Sequence, residues 1–110
     1  MIGGNTSAEI QVETITRNEI GEAVPKWQTV QTIVGWLDLM SGNAKIEAYS
    51  AKIQESTHIF IADYVDLDAQ ITAENSRMIV NKKVYQITLL DNPMEMNRQW
   101  EIFLKYTGGV

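Results

Sequence analysis

Residues 57–64 alternate strictly, with His58, Phe60, Ala62 and Tyr64 on one face and Thr57, Ile59, Ile61 and Asp63 on the other. Period-two alternation is the mark of a strand that buries one face. The same pattern recurs along the chain in short apolar segments separated by turn-forming residues. Residues 8–17 form the first, with Ile10 and Val12 in alternation and a slip of phase at Ile15, which predicts a bulge or a change of face near Thr14. Residues 18–25 hold Asn18, Gly21 and Pro25 and read as a long hairpin connection. Residues 26–39 follow with Val30, Val34 and Trp36 on one parity and Trp27, Ile33, Leu37 and Leu39 on the other. Apolar residues on both parities predict a central strand, or one that passes from one packing face to another. Residues 76–80 and 83–90 flank Asn81-Lys82, a tight hairpin. Asn81 tolerates the positive φ of a type I′ turn, although Lys82 suits the second position less well than Gly. Asp91-Asn92-Pro93 ends that strand, residues 94–97 form a loop, and residues 98–106 make the last strand, with Trp100, Ile102 and Leu104 on one face and Phe103 on the other.

One segment departs from this pattern. Ser41-Gly42-Asn43 offers capping side chains, and Ile46, Tyr49 and Ile53 recur at i, i+3 and i+7, which predicts an amphipathic helix around residues 43–54. Six short strands and one inserted helix predict a mainly β domain, a small antiparallel β-barrel or sandwich. At 110 residues the chain suits one domain over residues 1–110. Residues 1–7 and 107–110 are expected as flexible ends.

The composition removes most chemistry. There is no cysteine and a single histidine, so thiolate nucleophiles, the commonest zinc ligands and histidine-based triads lack their raw material. His58 lies mid-strand and reads as a partly buried ring with one hydrogen-bond partner. Asp63, Asp66 and Asp68, with Glu74 beyond, fail as a calcium loop, because Ile71 and Arg77 stand where the turn glycine and the bidentate glutamate belong. They read as a solvated loop. No glycine-rich phosphate loop is present, and eight of the nine aromatic residues, all but Tyr49, sit in predicted strands with no basic cluster among them. No catalytic residue, metal ligand or cofactor site is predicted, and the chain reads as a non-enzyme that works by shape and contact. Nine Lys and Arg against fourteen Asp and Glu give a formal charge of -5, which repels phosphate backbones and anionic membranes. The first residues lack the basic and apolar regions of a signal peptide, and no apolar run is long enough to span a bilayer, so an aqueous compartment is expected.

The order of motifs is more specific than any one of them. A strand and a glycine-containing hairpin lead to Pro25 and Trp27, and Trp36-Leu37-Asp38-Leu39-Met40-Ser41-Gly42 then runs into the alanine-rich helical segment. Thr57-His58-Ile59-Phe60-Ile61, Asn81-Lys82-Lys83-Val84-Tyr85-Gln86-Ile87 and Asn97-Arg98-Gln99-Trp100-Glu101-Ile102 follow. From about Ile10 to Tyr106 this order resembles the head-tail joining (head-closure, or stopper) family of tailed bacteriophages. The chain departs from the family pattern in three places: Ala62-Asp63-Tyr64 replaces a basic-aromatic pair, Lys82-Lys83 replaces Gly-Arg, and residues 1–7 are neutral where many members are basic.

The resemblance implies a homo-oligomeric ring of about twelve copies, cyclic in the way most such assemblies are. The portal or adaptor lies above it and the tail terminator or tail below. The ring closes the DNA exit channel after packaging and docks the tail, and DNA passes without sequence-specific binding. It implies a virion location at the head-tail interface, host bacterial cytoplasm during assembly, and no membrane partner. A lumen or gating segment is expected around Ser41, Gly42, Asn43, Lys45, Glu47, Lys52 and Glu55, and partner-contact loops at Glu19, Glu22, Met94, Glu95 and Met96. Two other readings stand beside it: another connector role, adaptor or tail terminator, and a single-stranded nucleic-acid-binding β-barrel.

Overall fold

The computed structural model of the protein describes residues 3–40 and 55–109. Six strands are present in chain order: β1 (Thr6–Arg17), β2 (Ala23–Leu39), β3 (His58–Asp63), β4 (Ser76–Val80), β5 (Lys83–Asp91) and β6 (Gln99–Gly109). All neighbours are antiparallel, in the order β1-β2-β3-β6-β5-β4, and β1 also pairs with β4, which closes the barrel. Closure removes the exposed sheet edges of the barrel itself. The helix expected over residues 43–54 lies outside the described residues. The one helical turn among the described strand connections is a 3₁₀ turn at Pro93–Glu95.

Inward-facing residues of all six strands fill the interior: Ile10, Ile33, Phe60, Met78, Ile87, Ile102 and Leu104 are buried, most of them completely. Full burial of one such side chain contributes roughly 1.5–3 kcal/mol. Phe60 takes its volume from Gly35, where a Cβ would lie 2.8 Å from the phenyl ring and closer still to the carbonyl oxygen of Ile61. The sheet accepts no side chain at that point.

Two features correct the sequence reading of the first hairpin. The register of β1 against β2 shifts between Ile10 and Gln11, which pair with Gln31 and Thr29 and leave Val30 as the extra residue. The bulge is therefore opposite β1 and on β2, not near Thr14. It inverts the parity of β2, so that Trp27 and Ile33, two odd-numbered residues, face opposite sides. Trp27 pairs with Glu13 on the outer face and Ile33 pairs with buried Ala8 on the inner. This is why both parities of β2 are apolar. The phase slip at Ile15 has another cause: β4 leaves β1 after Val12, so residues 13–17 no longer have an interior to face.

The chain ends also differ from expectation. β1 begins at Thr6, and β6 continues through Gly109, pairing Gly108 with Val84 and Gly109 with Lys83. Residues 107–109 are thus strand and not a frayed tail. The bulge left by Thr107 is closed by its hydroxyl, which donates to the Val84 carbonyl at 3.0 Å. The tight hairpin is as read: Asn81 and Lys82 have φ of 51° and 63°, the two positive values that a type I′ turn demands.

Candidate functional site: the two ends of the barrel

Because every pair of neighbours is antiparallel, the strand connections divide between two ends. Residues 18–22, 64–75 and 92–98 lie at one end, and Met40, residues 55–57 and the turn at Asn81-Lys82 lie at the other. The first we call the arm end and the second the root end.

At the arm end, β1 and β2 run on beyond the barrel as a two-stranded arm. Arg17 pairs with Ala23, Thr16 with Val24, Ile15 with Pro25 and Thr14 with Lys26. Four residues beyond Glu13 at about 3.4 Å each carry the arm about 14 Å past its last tie to the barrel, where the Glu13 amide donates to the Asn75 carbonyl at 2.9 Å. The tip is built around Asn18. Its side-chain oxygen accepts from the amides of Ile20 and Glu22, its backbone amide donates to the Glu22 carbonyl, and Arg17 Nη1 donates to the Gly21 carbonyl. Gly21 adopts the positive φ, 83°, that closes the turn. Glu19 and Glu22 are exposed on this tip, as are Ile20 (78%) and, lower on the arm, Ile15 (69%).

Residues 64–75 cross the same end as a strap from β3 to β4. Three side chains fix it. Trp100 Nε1 donates to the Val65 carbonyl at 2.8 Å, with Tyr64 stacked on the indole at 5.7 Å between ring centres. Gln31 of β2 acts as a surrogate strand: its Nε2 donates to the Asp66 carbonyl and its Oε1 accepts from the Asp68 amide. Ile71 is buried and joins the interior cluster from above. Asp66 accepts from the Tyr64 hydroxyl and Asp68 from the Gln70 amide, so these carboxylates organise their own loop. The Asp66 contact raises the Tyr64 pKa above its ordinary value. Among the described residues no group of three or more acidic or histidine side chains is placed to hold a metal ion.

The third connection at this end carries Met94, Glu95 and Met96. Met94 and Glu95 both have φ of 54°, the neighbouring Asn92 and Asn97 side chains are hydrogen-bonded, and Met94 and Met96 are 88% and 48% exposed. The fold therefore sets the two loops expected as partner contacts, 18–25 and 94–97, at the same end of the barrel, on opposite sides of it.

Of the residues expected in the lumen or gating segment, Ser41, Gly42, Asn43, Lys45, Glu47 and Lys52 lie outside the described residues, and Glu55 is exposed. The flanking chain is held at both points where it joins the barrel. The Met40 amide donates to the Thr57 carbonyl at 2.9 Å, and the Thr57 amide donates to the Leu104 carbonyl at 2.8 Å. Ser56 is fully buried, its hydroxyl 2.6 Å from that of Thr88, which in turn donates to the Phe103 carbonyl at 3.0 Å. Thr88 is the unmatched residue of the bulge between Ile87 and Leu89. The bulge thus turns a hydroxyl inward where a regular strand would turn it out. Sequence reading passed over both residues, since nothing in a Ser or Thr marks it as buried.

His58 lies beside this root. Its Nδ1 is 2.8 Å from the Thr57 hydroxyl, and its ring meets that of Tyr85 edge-on at 5.1 Å. Partial burial, and then the nearby charge of Lys83, lower its pKa below the ordinary value, against an opposing pull from Asp38. This matches the expected half-buried ring with one hydrogen-bond partner. Of the other aromatic residues, Phe60, Tyr85 and Phe103 are buried, while Trp27 lies on the outer face with the Arg77 guanidinium 4.3 Å over its ring.

The likeness of this architecture to known proteins is extensive. The solution structure of protein SF1141 from Shigella flexneri 2a superposes with a TM-score of 0.73 at 21% identity, covering 96% of this chain and 95% of that one, which establishes a shared fold. No curated protein matches the sequence. The family model described as phage head completion protein matches residues 4–106. That span takes in every described strand up to the last residues of β6, both ends of the barrel and the segment between β2 and β3, and the chain belongs to the phage head completion protein family.

Proposed function

We propose that the protein is a structural head-tail connector component of a tailed phage. It forms a ring of about twelve copies beneath the portal or its adaptor, closes the DNA exit channel after packaging, and docks the tail. Membership of the head completion family gives the structural role and the virion context. The observation that carries the finer reading is the division of labour between the ends of the barrel. The exposed arm and the Met94–Met96 loop extend from one end for vertical contacts. Both roots of the 41–55 segment are fastened at the other, so that this segment, with Ser41, Gly42, Asn43, Lys45, Glu47, Lys52 and Glu55, can face the lumen and gate it.

A ring suits a small subunit. A copy held by one contact meets its next contact at high effective concentration, so each interface can be modest. The strand-dominated architecture of the described residues argues against an adaptor built mostly of helices. An acidic subunit also lets DNA through without gripping it.

Purified protein added to DNA-filled capsids that lack both it and tails should add a ring at the portal vertex, visible by negative-stain microscopy, and should restore joining to tails. Capsids that gain no ring and remain unable to join tails would refute this function.

A further inference from the structure

The two edges of the arm are not equivalent. The Asn18 amide donates to the Glu22 carbonyl, so alternation along the antiparallel ladder turns the N–H and C=O groups of residues 17, 15 and 13 of β1, and of 23, 25 and 27 of β2, outward. The Glu13 amide, which indeed points outward to Asn75, agrees with this assignment. On the β2 side, position 25 is proline and offers no donor, the standard protection of an edge. On the β1 side, Ile15 and Arg17 keep both donor and acceptor, and β4 stops at Val12 without covering them. Beside this open edge, Ile15, Pro25 and Ala23 make an exposed apolar face that leads down to Trp27.

Charge identifies what fits. The three connections at the arm end contain six carboxylates (Glu19, Glu22, Asp66, Asp68, Glu74 and Glu95) and one cation, Arg98, a net of -5. That equals the formal charge of the whole chain, and the remaining residues carry eight charges of each sign. With Glu13, Arg17 and Lys26 of the arm strands included, this end carries -4, so most of the net charge lies at the end that bears the open edge. A second copy of this chain would bring either the same acidic end or a remainder close to neutral, so the complement is a different, basic chain.

We propose that the β1 edge of the arm takes up an extended, basic segment of the head vertex as an added strand, pairing with Ile15 and Arg17 and laying an apolar side chain against Ile15. This rests on the connector reading and adds the partner's chemistry and its mode of binding.

Co-sedimentation with DNA-filled, tailless capsids tests it. Ile15→Pro and Arg17→Pro each remove one outward donor and leave the backbone hydrogen bonds inside the hairpin intact, Arg17→Pro also losing the side-chain bond to the Gly21 carbonyl, and each should weaken binding about tenfold. Ala23→Pro makes the same change on the edge that Pro25 already blocks and should bind like the wild type. Raising salt from about 0.05 to 0.3 M should weaken binding of the wild type. In the unaltered protein, hydrogen exchange at the amides of Ile15 and Arg17 should slow on capsid binding, a readout independent of whether the proline variants fold. The inference is overturned if folded Ile15→Pro and Arg17→Pro bind normally, if Ala23→Pro binds as weakly as they do, if binding ignores salt, or if the two amides stay unprotected. Wild-type protein that joins capsids to tails while these amides stay unprotected defeats this inference alone. Wild-type protein that does not bind capsids defeats it together with the connector reading.

Discussion

The first hairpin contains two regions built from the same two strands. Between Ala8 and Val12 on β1, and across Ile33 on β2, the apolar residues of an alternating pattern, Ala8, Ile10, Val12 and Ile33, face an interior and are buried. Beyond Glu13 the same ladder continues, but Ile15, Ile20 and Val24 are exposed and the hairpin stands alone. The ladder is the same, and what differs is the presence of β4 beside β1 and β3 beside β2 to close the space. A two-stranded ribbon is marginally stable in water by itself, so the arm depends on the barrel for its order while the barrel owes little to the arm.

The largest expected effect tests that dependence. Phe60→Ala should lower the unfolding free energy by about 3–5 kcal/mol. Ile15→Ala should stay within about 0.5 kcal/mol, as for other exposed sites. Chemical denaturation of both variants checks the pair, and equal losses would mean that the arm belongs to the cooperative core. An intermediate effect is expected at the root end. Thr88→Val keeps the shape but leaves Ser56 and the Phe103 carbonyl without that hydroxyl, and should cost about 1–3 kcal/mol. Hydrogen exchange should then rise first near Thr57 and leave the arm unchanged, which would show that the two ends are held separately.

The smallest effect concerns pH. Burial lowers the His58 pKa in the folded protein, so the unfolded chain binds the proton more readily. The stabilisation is therefore fully present above the unfolded value near 6.5 and is lost as pH falls from there through the lowered folded value. The midpoint of thermal unfolding should decline slightly from about pH 7.5 to 5.5. His58→Gln should flatten that part of the profile, and an unchanged slope would assign it to other groups.

Much of this was legible in the residues. Alternation in 57–64 located β3, Asn81-Lys82 located a type I′ turn, and the order of motifs pointed to the head-joining family, because each depends on neighbours in sequence. The bulge at Val30 was not legible. It is a register choice between two strands, and β2 alone shows only that both parities are apolar. The slip at Ile15 pointed to a real boundary but suggested the wrong device, since the end of β4 is a fact about a strand sixty residues away. Residues 107–109 looked like a tail because glycines fray when nothing pairs them, and here β5 does.

The contact loops show the same limit. Glu19 and Glu22 could be picked out from turn chemistry, as could Met94, Glu95 and Met96, but not that both loops share one end, which follows from antiparallel pairing around the closed sheet. The sequence by itself determined a mainly β domain without cysteine thiols, its turn positions and its net charge of -5. The tertiary structure alone decided where that charge sits and which edge of the arm is open, because both depend on which strands become neighbours, and pairing is a property of the whole sheet.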